Sequence, residues 1–421
     1  MIIKNIQQLL GIHPFSRLLK GEEMADLPQI DNAYLRIEGD RIAAFGPMGE
    51  LEDKEDPASI DASGCLVLPA WCDSHTHLVF AGSRELEFLD KIKGLSYAEI
   101  AAKGGGIQYS ARLLQETSEE ALHQSASRRL KEIAATGTGA VEIKSGYGLN
   151  TESELKMLRV IRRLKESSLV TIKSTFLGAH AIPQAYKNDR EGYMRLVIDE
   201  MLPAIAGEKL ADYIDVFCEK GFFDLEDTRR ILQAGKRFGL KGKLHANQLN
   251  NFGAVQLGVH EGALSVDHLE NISATEIACL KKAETIPTLL PTAAFFLRMN
   301  YPPARQMIDS GLGIALATDY NPGSSPSGNI PLLLALSCIQ MRMLPEEAVN
   351  ALTMNGACAM EVEQELGSIA VGKKANLIIS KPTPNLAYLP YSFGDNWIGK
   401  VILCGELIKE NKPQHAAAAN F

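Results

Sequence analysis

The run L-V-L-P-A-W-C-D-S-H-T-H, residues 66–77, is apolar for seven positions and then turns abruptly polar. It reads as a buried strand whose C-terminal end carries chemistry. Side chains two apart on a strand point the same way, so His75 and His77 can bring two imidazoles to one ion. The form recurs downstream. Apolar or β-branched runs lead into 140–147, 170–180, 213–219, 242–248, 263–268, 285–292 and 313–321. With 66–77 these make eight candidate strands, and helical stretches such as 152–165, 227–238 and 275–283 fall between them. Eightfold strand–helix alternation predicts an α/β fold of the closed (β/α)8, TIM-barrel type. A doubly wound open sheet is the alternative. The lack of a G-x-G-x-x-G after the first strand weighs against it.

Outside that middle the chain is β-rich. Short runs at 33–37 and 41–45 precede it, and runs at 376–379 and 400–403 follow, with turn signals at Gly39-Asp40, Gly46-Pro47 and Gly405. The expected organisation is one composite β domain, built from residues 1–65 and 364–421, around a barrel of residues 66–363.

The 421 residues exceed a typical domain and suit a barrel with an appendage. Hydrophobic residues at 46% and charged residues at 22% exclude disorder or coiled coil as a description of the whole. A net charge of −8 argues against general nucleic-acid binding. It does not disfavour a small anionic substrate, because one buried Arg outweighs a diffuse charge. The seven cysteines form no C-x-x-C pair, which speaks against a disulfide framework or a thiolate zinc site. Residues 1–20 lack an apolar core of signal-peptide length, and no stretch approaches a membrane span. A cytoplasmic, reducing location is expected.

Five of nine histidines (His75, His77, His180, His245 and His268) lie at the ends of candidate strands, and Asp319 ends the eighth. Any one alone reads equally well as a satisfied polar residue at a barrel rim. Together they occupy the face where barrels of this type carry active sites. His13, His123, His260 and His415 have solvated, capping or terminal settings and no such company.

The pattern of His-x-His on strand one, His on strands five and six, and Asp on strand eight resembles the amidohydrolase superfamily. Longer strings resemble its imidazolonepropionase family: D-S-H-T-H-L-V-F-A-G-S-R (73–84), G-G-G-I (104–107), V-E-I-K-S-G-Y-G-L (141–149), S-T-F-L-G-A-H-A-I-P (174–183), D-H-L (267–269) and L-A-T-D-Y-N-P-G-S-S-P (316–326). G-S-I-A-V-G-K-K-A-N-L-I (367–378) resembles the strand return of the superfamily's composite β-sandwich. The resemblance implies a hydrolase that opens the cyclic amide of 4-imidazolone-5-propanoate to N-formimidoyl-L-glutamate. It further implies one zinc or iron ion per subunit, held by His75, His77, His245 and Asp319, and a homodimer.

Chemistry assigns roles within that frame. Asp319 can accept a proton from water and pass it to the leaving ring nitrogen. His268 can polarise the carbonyl or orient the nucleophile. The resemblance places Arg84 on the substrate's propanoate, whose geometry a guanidinium matches. Tyr147 and His180 would meet the ring, and Asn321, Gly323 and Ser324 can offer donors to the substrate. Gln248 stands where many amidohydrolases carry a proton-moving Glu; an amide only exchanges hydrogen bonds, so it reads as substrate-binding. Lys220 invites comparison with the carboxylated lysine of binuclear relatives, although an ordinary surface lysine is expected. Lys103-Gly104-Gly105-Gly106 lacks a P-loop ending and reads as a loop over the barrel mouth. Cys72 reads as barrel packing. A deaminase or another cyclic-amide hydrolase is the alternative, and a non-catalytic metal-dependent binding protein is the third reading.

Overall fold

The run 66–77 proves to be two strands in two different sheets. The computed structural model describes residues 1–52, 59–95, 99 and 105–410. Among these the chain first forms β1 (Ile2–Leu10), β2 (Gln29–Glu38), β3 (Arg41–Pro47), β4 (Ile60–Asp61) and β5 (Leu66–Pro69). β5 lies parallel to β1, pairing Leu66 with Gln8. At Ala70 the chain leaves this sheet: its N–H bonds to Asn376 O (2.9 Å), and the next N–H, of Trp71, bonds to Gly137 O (2.8 Å). Trp71 thus opens the barrel.

The barrel consists of β6 (Trp71–Thr76), β7 (Thr138–Lys144), β8 (Thr171–Ala179), β9 (Tyr213–Cys218), β10 (Lys241–Ala246), β11 (Ser265–His268), β12 (Ile286–Leu289) and β13 (Ala315–Leu316). Neighbours pair in parallel and in sequence order. Closure falls just beyond the last strand, where Thr76 bridges Tyr320. There Asp319 N–H bonds to His75 O (3.0 Å) and His77 N–H to Tyr320 O (2.9 Å). Asp73 secures the seam by accepting from Thr318 N (2.9 Å) and Thr318 Oγ1 (2.6 Å). The closure that completes the fold therefore lays Asp319 beside the His-x-His pair.

The expected helices form at Thr151–Ser167, Leu225–Arg237 and Ala274–Leu280. The first shows why. Asn150 caps it by accepting from Ser153 N (2.8 Å). Met157, Leu158, Ile161 and Leu164 then recur at helical spacing and bury against the barrel.

β14 (Leu377–Ser380), β15 (Ile398–Leu403) and β16 (Glu406–Glu410) return to the first sheet, in the order β16-β15-β14-β5-β1-β2-β3, with β4 on β1. β14 pairs antiparallel to β5, Ile378 opposite Leu68. Both ends of the chain thus build one mixed sheet, whose own apolar cluster includes Ile3, Leu35, Val67, Leu377 and Ile402. Among the described residues no helix is long and apolar enough to cross a membrane.

Candidate active site

Each site residue expected from the sequence sits at or just past the C-terminal end of the barrel. His77 follows β6, Tyr147 follows β7 and His180 follows β8; His245 lies in β10, His268 ends β11, and Asp319 follows β13. They line a cavity of about 840 Å³ together with Arg84, Gln248, Asn321, Gly323 and Ser324. His75 lies beneath it, fully buried. The backbone is strained here: Asn247, His268, Leu269 and Asp319 hold φ of 54°, 84°, 70° and 53°. Side-chain-bearing residues rarely adopt such angles, and clusters of them mark functional sites.

The imidazole tautomers follow from their partners. His75 Nδ1 lies 2.6 Å from Asp267 Oδ2, so Nδ1 carries the proton and Nε2 keeps its lone pair. That Nε2 is buried without a hydrogen-bond partner. His245 Nδ1 lies 3.0 Å from Asp215 Oδ2, leaving its Nε2 to face His77 Nε2 at 3.4 Å. Asp319 Oδ1 stands 3.6 Å from His75 Nε2 and 3.5 Å from His77 Nε2. Bonds of about 2.0–2.1 Å at near-tetrahedral angles separate neighbouring ligand atoms by about 3.3 Å. Three lone-pair nitrogens and a carboxylate at this spacing fit a divalent metal ion. Burial, with the Lys144 ammonium and the crowding of neighbouring imidazoles, pushes the pKa of His75 and His77 well below the usual range, so both stay neutral, as ligation requires.

His268 differs. Burial opposes its charged form, but Glu270, 3.4 Å from its Nδ1, and Asp319 outweigh that and raise its pKa. It is suited to donate a hydrogen bond. His180 is the reverse: burial and the nearby His245 pull it down to about 3. Its Nδ1 donates to Gly146 O (3.0 Å), which leaves Nε2 as an acceptor. Its ring stacks on His77 with centroids 5.2 Å apart, and Tyr147 lies 5.4 Å away.

The loop carrying Tyr147 hangs on a residue the sequence reading passed over. Buried Glu154 accepts from the N–H groups of Gly146 (3.0 Å), Gly148 (2.7 Å) and Leu149 (3.0 Å). Gly146 holds φ of 107°, and a Cβ at Gly148 would strike the Glu154 backbone. Glu154→Gln turns an N–H₂ group against one of these donors. It is expected to cost about 1–3 kcal/mol, the penalty for a buried donor left unpaired. Urea unfolding checks the stability loss, and a raised KM checks the displaced Tyr147; an unchanged KM would detach the loop from substrate binding.

The loop after Asp319 is organised from within. Asn321 Nδ2 donates to Asp319 O (2.6 Å) and Ser324 Oγ (2.6 Å), while its Oδ1 accepts from Gly323 N and Ser324 N, both at 2.8 Å. Ser324 Oγ donates to Asp319 Oδ2 (3.0 Å). The donors expected to reach substrate are thus engaged in holding Asp319. Gly323 has a separate use: a Cβ there would collide with Arg84 Nη1.

Arg84 sits in the cavity wall, its Nε and Nη2 forked on Glu87 at 3.0 and 2.6 Å. Glu87 Oε1 also accepts from Gly106 N (2.8 Å). Lys91, which the sequence reading did not single out, joins the wall and donates to Gly323 O (3.1 Å). Phe217, Phe222, Phe296 and Arg298 line it too. Gln248 is buried in the wall, and Glu219 holds the next residue by accepting from Leu249 N (2.9 Å). Lys220 is exposed and is not among the residues lining the cavity. Cys72 packs with Ala140 and Ala357, and burial pushes its thiol up to about 12. Lys103 and Gly104 of the expected mouth loop lie outside the described residues.

Residues 66–408 match the amidohydrolase family. An imidazolonepropionase of Flavobacterium johnsoniae is 55% identical over 408 residues, covering 97% of this chain and 99% of that protein. Those of Christiangramia forsetii and Geobacillus kaustophilus are 54% and 42% identical, each over 97% of this chain and over 100% and 97% of their own lengths. Among solved structures, a 5-methylcytosine deaminase of Klebsiella pneumoniae superposes with a TM-score of 0.76 over 99% of this chain and 98% of its own, at 16% identity. An atrazine chlorohydrolase of Arthrobacter aurescens, solved with zinc, gives 0.69 over 97% and 95%, at 14% identity. A barrel of this form, closed so that Asp319 meets His75 and His77, with relatives this similar over nearly their whole length, belongs to the amidohydrolase family and, within it, to the imidazolonepropionases.

Proposed function

We propose that the chain hydrolyses the cyclic amide of 4-imidazolone-5-propanoate to N-formimidoyl-L-glutamate, a step of histidine degradation. The observation that carries the reading is a cavity lined by His77, His245, Asp319 and the Arg84 guanidinium, with His75 directly beneath and within ligand distance of these imidazoles and carboxylate. The cluster suits water activation; the guanidinium suits an anionic side chain. A deaminase acting on a neutral base would have no use for the guanidinium.

In this reading one zinc or iron ion per subunit would be held by His75, His77, His245 and Asp319. The donor set accepts either metal. Bound there, the ion would lower the pKa of a water towards ~7 and so supply a nucleophile at neutral pH. The protein's own groups do the rest. Arg84 binds the propanoate and fixes the ring's position. His180 Nε2 accepts from a ring N–H, with Tyr147 against the ring and Gln248 offering its amide. Water attacks the ring carbonyl carbon; Asp319 takes its proton, and His268 donates to the oxygen where charge develops. Asp319 returns the proton to the ring nitrogen as the C–N bond breaks, leaving the formimidoyl group and a carboxylic acid that ionises by releasing its proton to solvent. Asn321, Ser324 and Gly323 act by holding Asp319 and making room for Arg84. A cytoplasmic setting fits seven cysteines that are all unpaired; a homodimer rests on the family resemblance.

The test generates the unstable imidazolone in place from urocanate with urocanase and follows its ultraviolet absorbance. Adding the protein is expected to speed the loss, with formimidoyl-glutamate appearing, and a chelator to abolish the gain. No acceleration by metal-replete protein would remove the substrate assignment.

A further inference from the structure

Beneath the candidate ligands the barrel is filled by charge. Glu142 and Lys144 from β7, Asp215 from β9, Lys243 from β10 and Asp267 from β11 are all 0% exposed. Barrels of this kind ordinarily fill that space with bulky branched apolar side chains. Buried ion networks give little stability over apolar packing of the same volume. Their placement here is specific to the metal centre. Lys144 Nζ lies 2.6 Å from Glu142 Oε1, 2.8 Å from Asp215 Oδ2 and 3.5 Å from Asp267 Oδ2. Asp267 Oδ2 is the atom that accepts from His75 Nδ1, and Asp215 Oδ2 is the atom beside His245 Nδ1. One ammonium therefore joins the two carboxylates that orient two imidazoles on strands β6 and β10.

The remaining members hold that ammonium in place. Glu142 Oε1 accepts from Thr175 Oγ1 (2.6 Å), and Glu142 Oε2 pairs with Lys243. Asp267 Oδ1 accepts from Ser265 Oγ (2.6 Å), and Asp215 Oδ1 from Val216 N (2.7 Å). Three carboxylates against two ammoniums leave one net negative charge directly under the ligand cluster.

We propose that Lys144 is a positioning residue for the metal centre. Through Asp215 and Asp267 it fixes the direction of His245 and His75 at once, with Glu142 and Lys243 as its support. The proposal rests on the metal-ligand reading above and not on the identity of the substrate. Removing the ammonium leaves both carboxylates without the cation they share, so both imidazoles lose the support behind their anchors together. Partners one step behind metal ligands typically change affinity about 10–100-fold when lost.

The experiment loads the purified protein with Co²⁺ and measures affinity by competition with a chromogenic chelator, alongside the visible cobalt spectrum and the thermal midpoint of the metal-free form. Lys144→Met and Asp267→Asn are compared with wild type. Weakening of Co²⁺ affinity by about 10–100-fold, an altered cobalt spectrum and recovery of kcat in excess metal with KM unmoved are expected. The double variant should lie close to the worse single one, since both act through one node. A lowered thermal midpoint with affinity and spectrum unchanged would overturn the proposal and leave Lys144 a structural brace. Asp267→Asn, nearly isosteric, gives the same reading if Lys144→Met does not fold. A wild-type protein that binds no Co²⁺ would sink the ligand reading and this proposal with it; normal metal binding without turnover of the imidazolone would sink the substrate alone.

Discussion

Asp319→Asn is expected to lower kcat by about 10³–10⁴-fold, the upper part of the range lost with a positioned proton-transfer group. The substitution is nearly isosteric, and the backbone contacts that place the residue survive it. Its N–H still bonds to His75 O, and its own O still accepts from Asn321 Nδ2. The loss is therefore chemical. An amide oxygen can face the same cation, more weakly, but no amide accepts the water's proton at neutral pH. Two readouts separate the parts. Metal content is expected to fall, and saturating metal is expected to restore occupancy without restoring kcat. That is the opposite of Lys144→Met, where occupancy and kcat recover together. An Asp319→Asn enzyme within about tenfold of wild type at full occupancy would remove Asp319 from proton transfer.

The contrast between these two positions also shows what the sequence reveals and what it hides. Strand ends were legible because a polar residue closing an apolar run is a local event. His180 after 170–179 and Asp319 after 313–318 announce themselves in that way, and the structure sets both in the cavity wall. The passage from one sheet to another at Ala70 left no such mark. Leu66–Pro69 and Trp71–Thr76 are buried throughout, so apolar periodicity runs straight across the junction. β1 was invisible for the opposite reason: Lys4, Asn5, Gln7 and Gln8 interrupt its apolar residues, and a register shift between Ile3 and Ile6 breaks the two-residue alternation of this interior strand. The charged floor of the barrel had a readable signal that the strand assignment absorbed. Glu142 and Lys144 stand two apart in an otherwise apolar strand and so face the same way. Two opposite charges on one face of a buried strand demand partners. Those partners, Asp215, Lys243 and Asp267, come from strands up to 125 residues further on (267 minus 142), a distance only the closed barrel spans.

Arg84→Met is expected to raise KM by about 10²–10⁴-fold while leaving kcat within about tenfold. The guanidinium has two edges. Glu87 occupies the one formed by Nε and Nη2, at 3.0 and 2.6 Å, and Gly106 N–H ties Glu87 down in turn. The edge formed by Nη1 stays with the cavity, where glycine at 323 lets it close. A carboxylate on that edge makes two charge-assisted bonds, worth about 1.5–3 kcal/mol each, and every 1.36 kcal/mol is tenfold. The propanoate is remote from the carbonyl carbon and is bound alike in ground and transition states, so its loss falls on KM. Methionine keeps much of the volume and removes the charge, which also leaves Glu87 to repel the substrate. Arg84→Lys restores a point charge without the fork and is expected to recover only part of the loss. The measurement is kcat and KM in the coupled assay for wild type and both variants. A KM for Arg84→Met within about threefold of wild type would shift the carboxylate to Lys91 or Arg298, the other cations in the cavity wall. A neutral amide analogue of the substrate supplies the converse: its KM should be indifferent to the substitution, because the discrimination resides in the paired charge and not in the shape of the pocket.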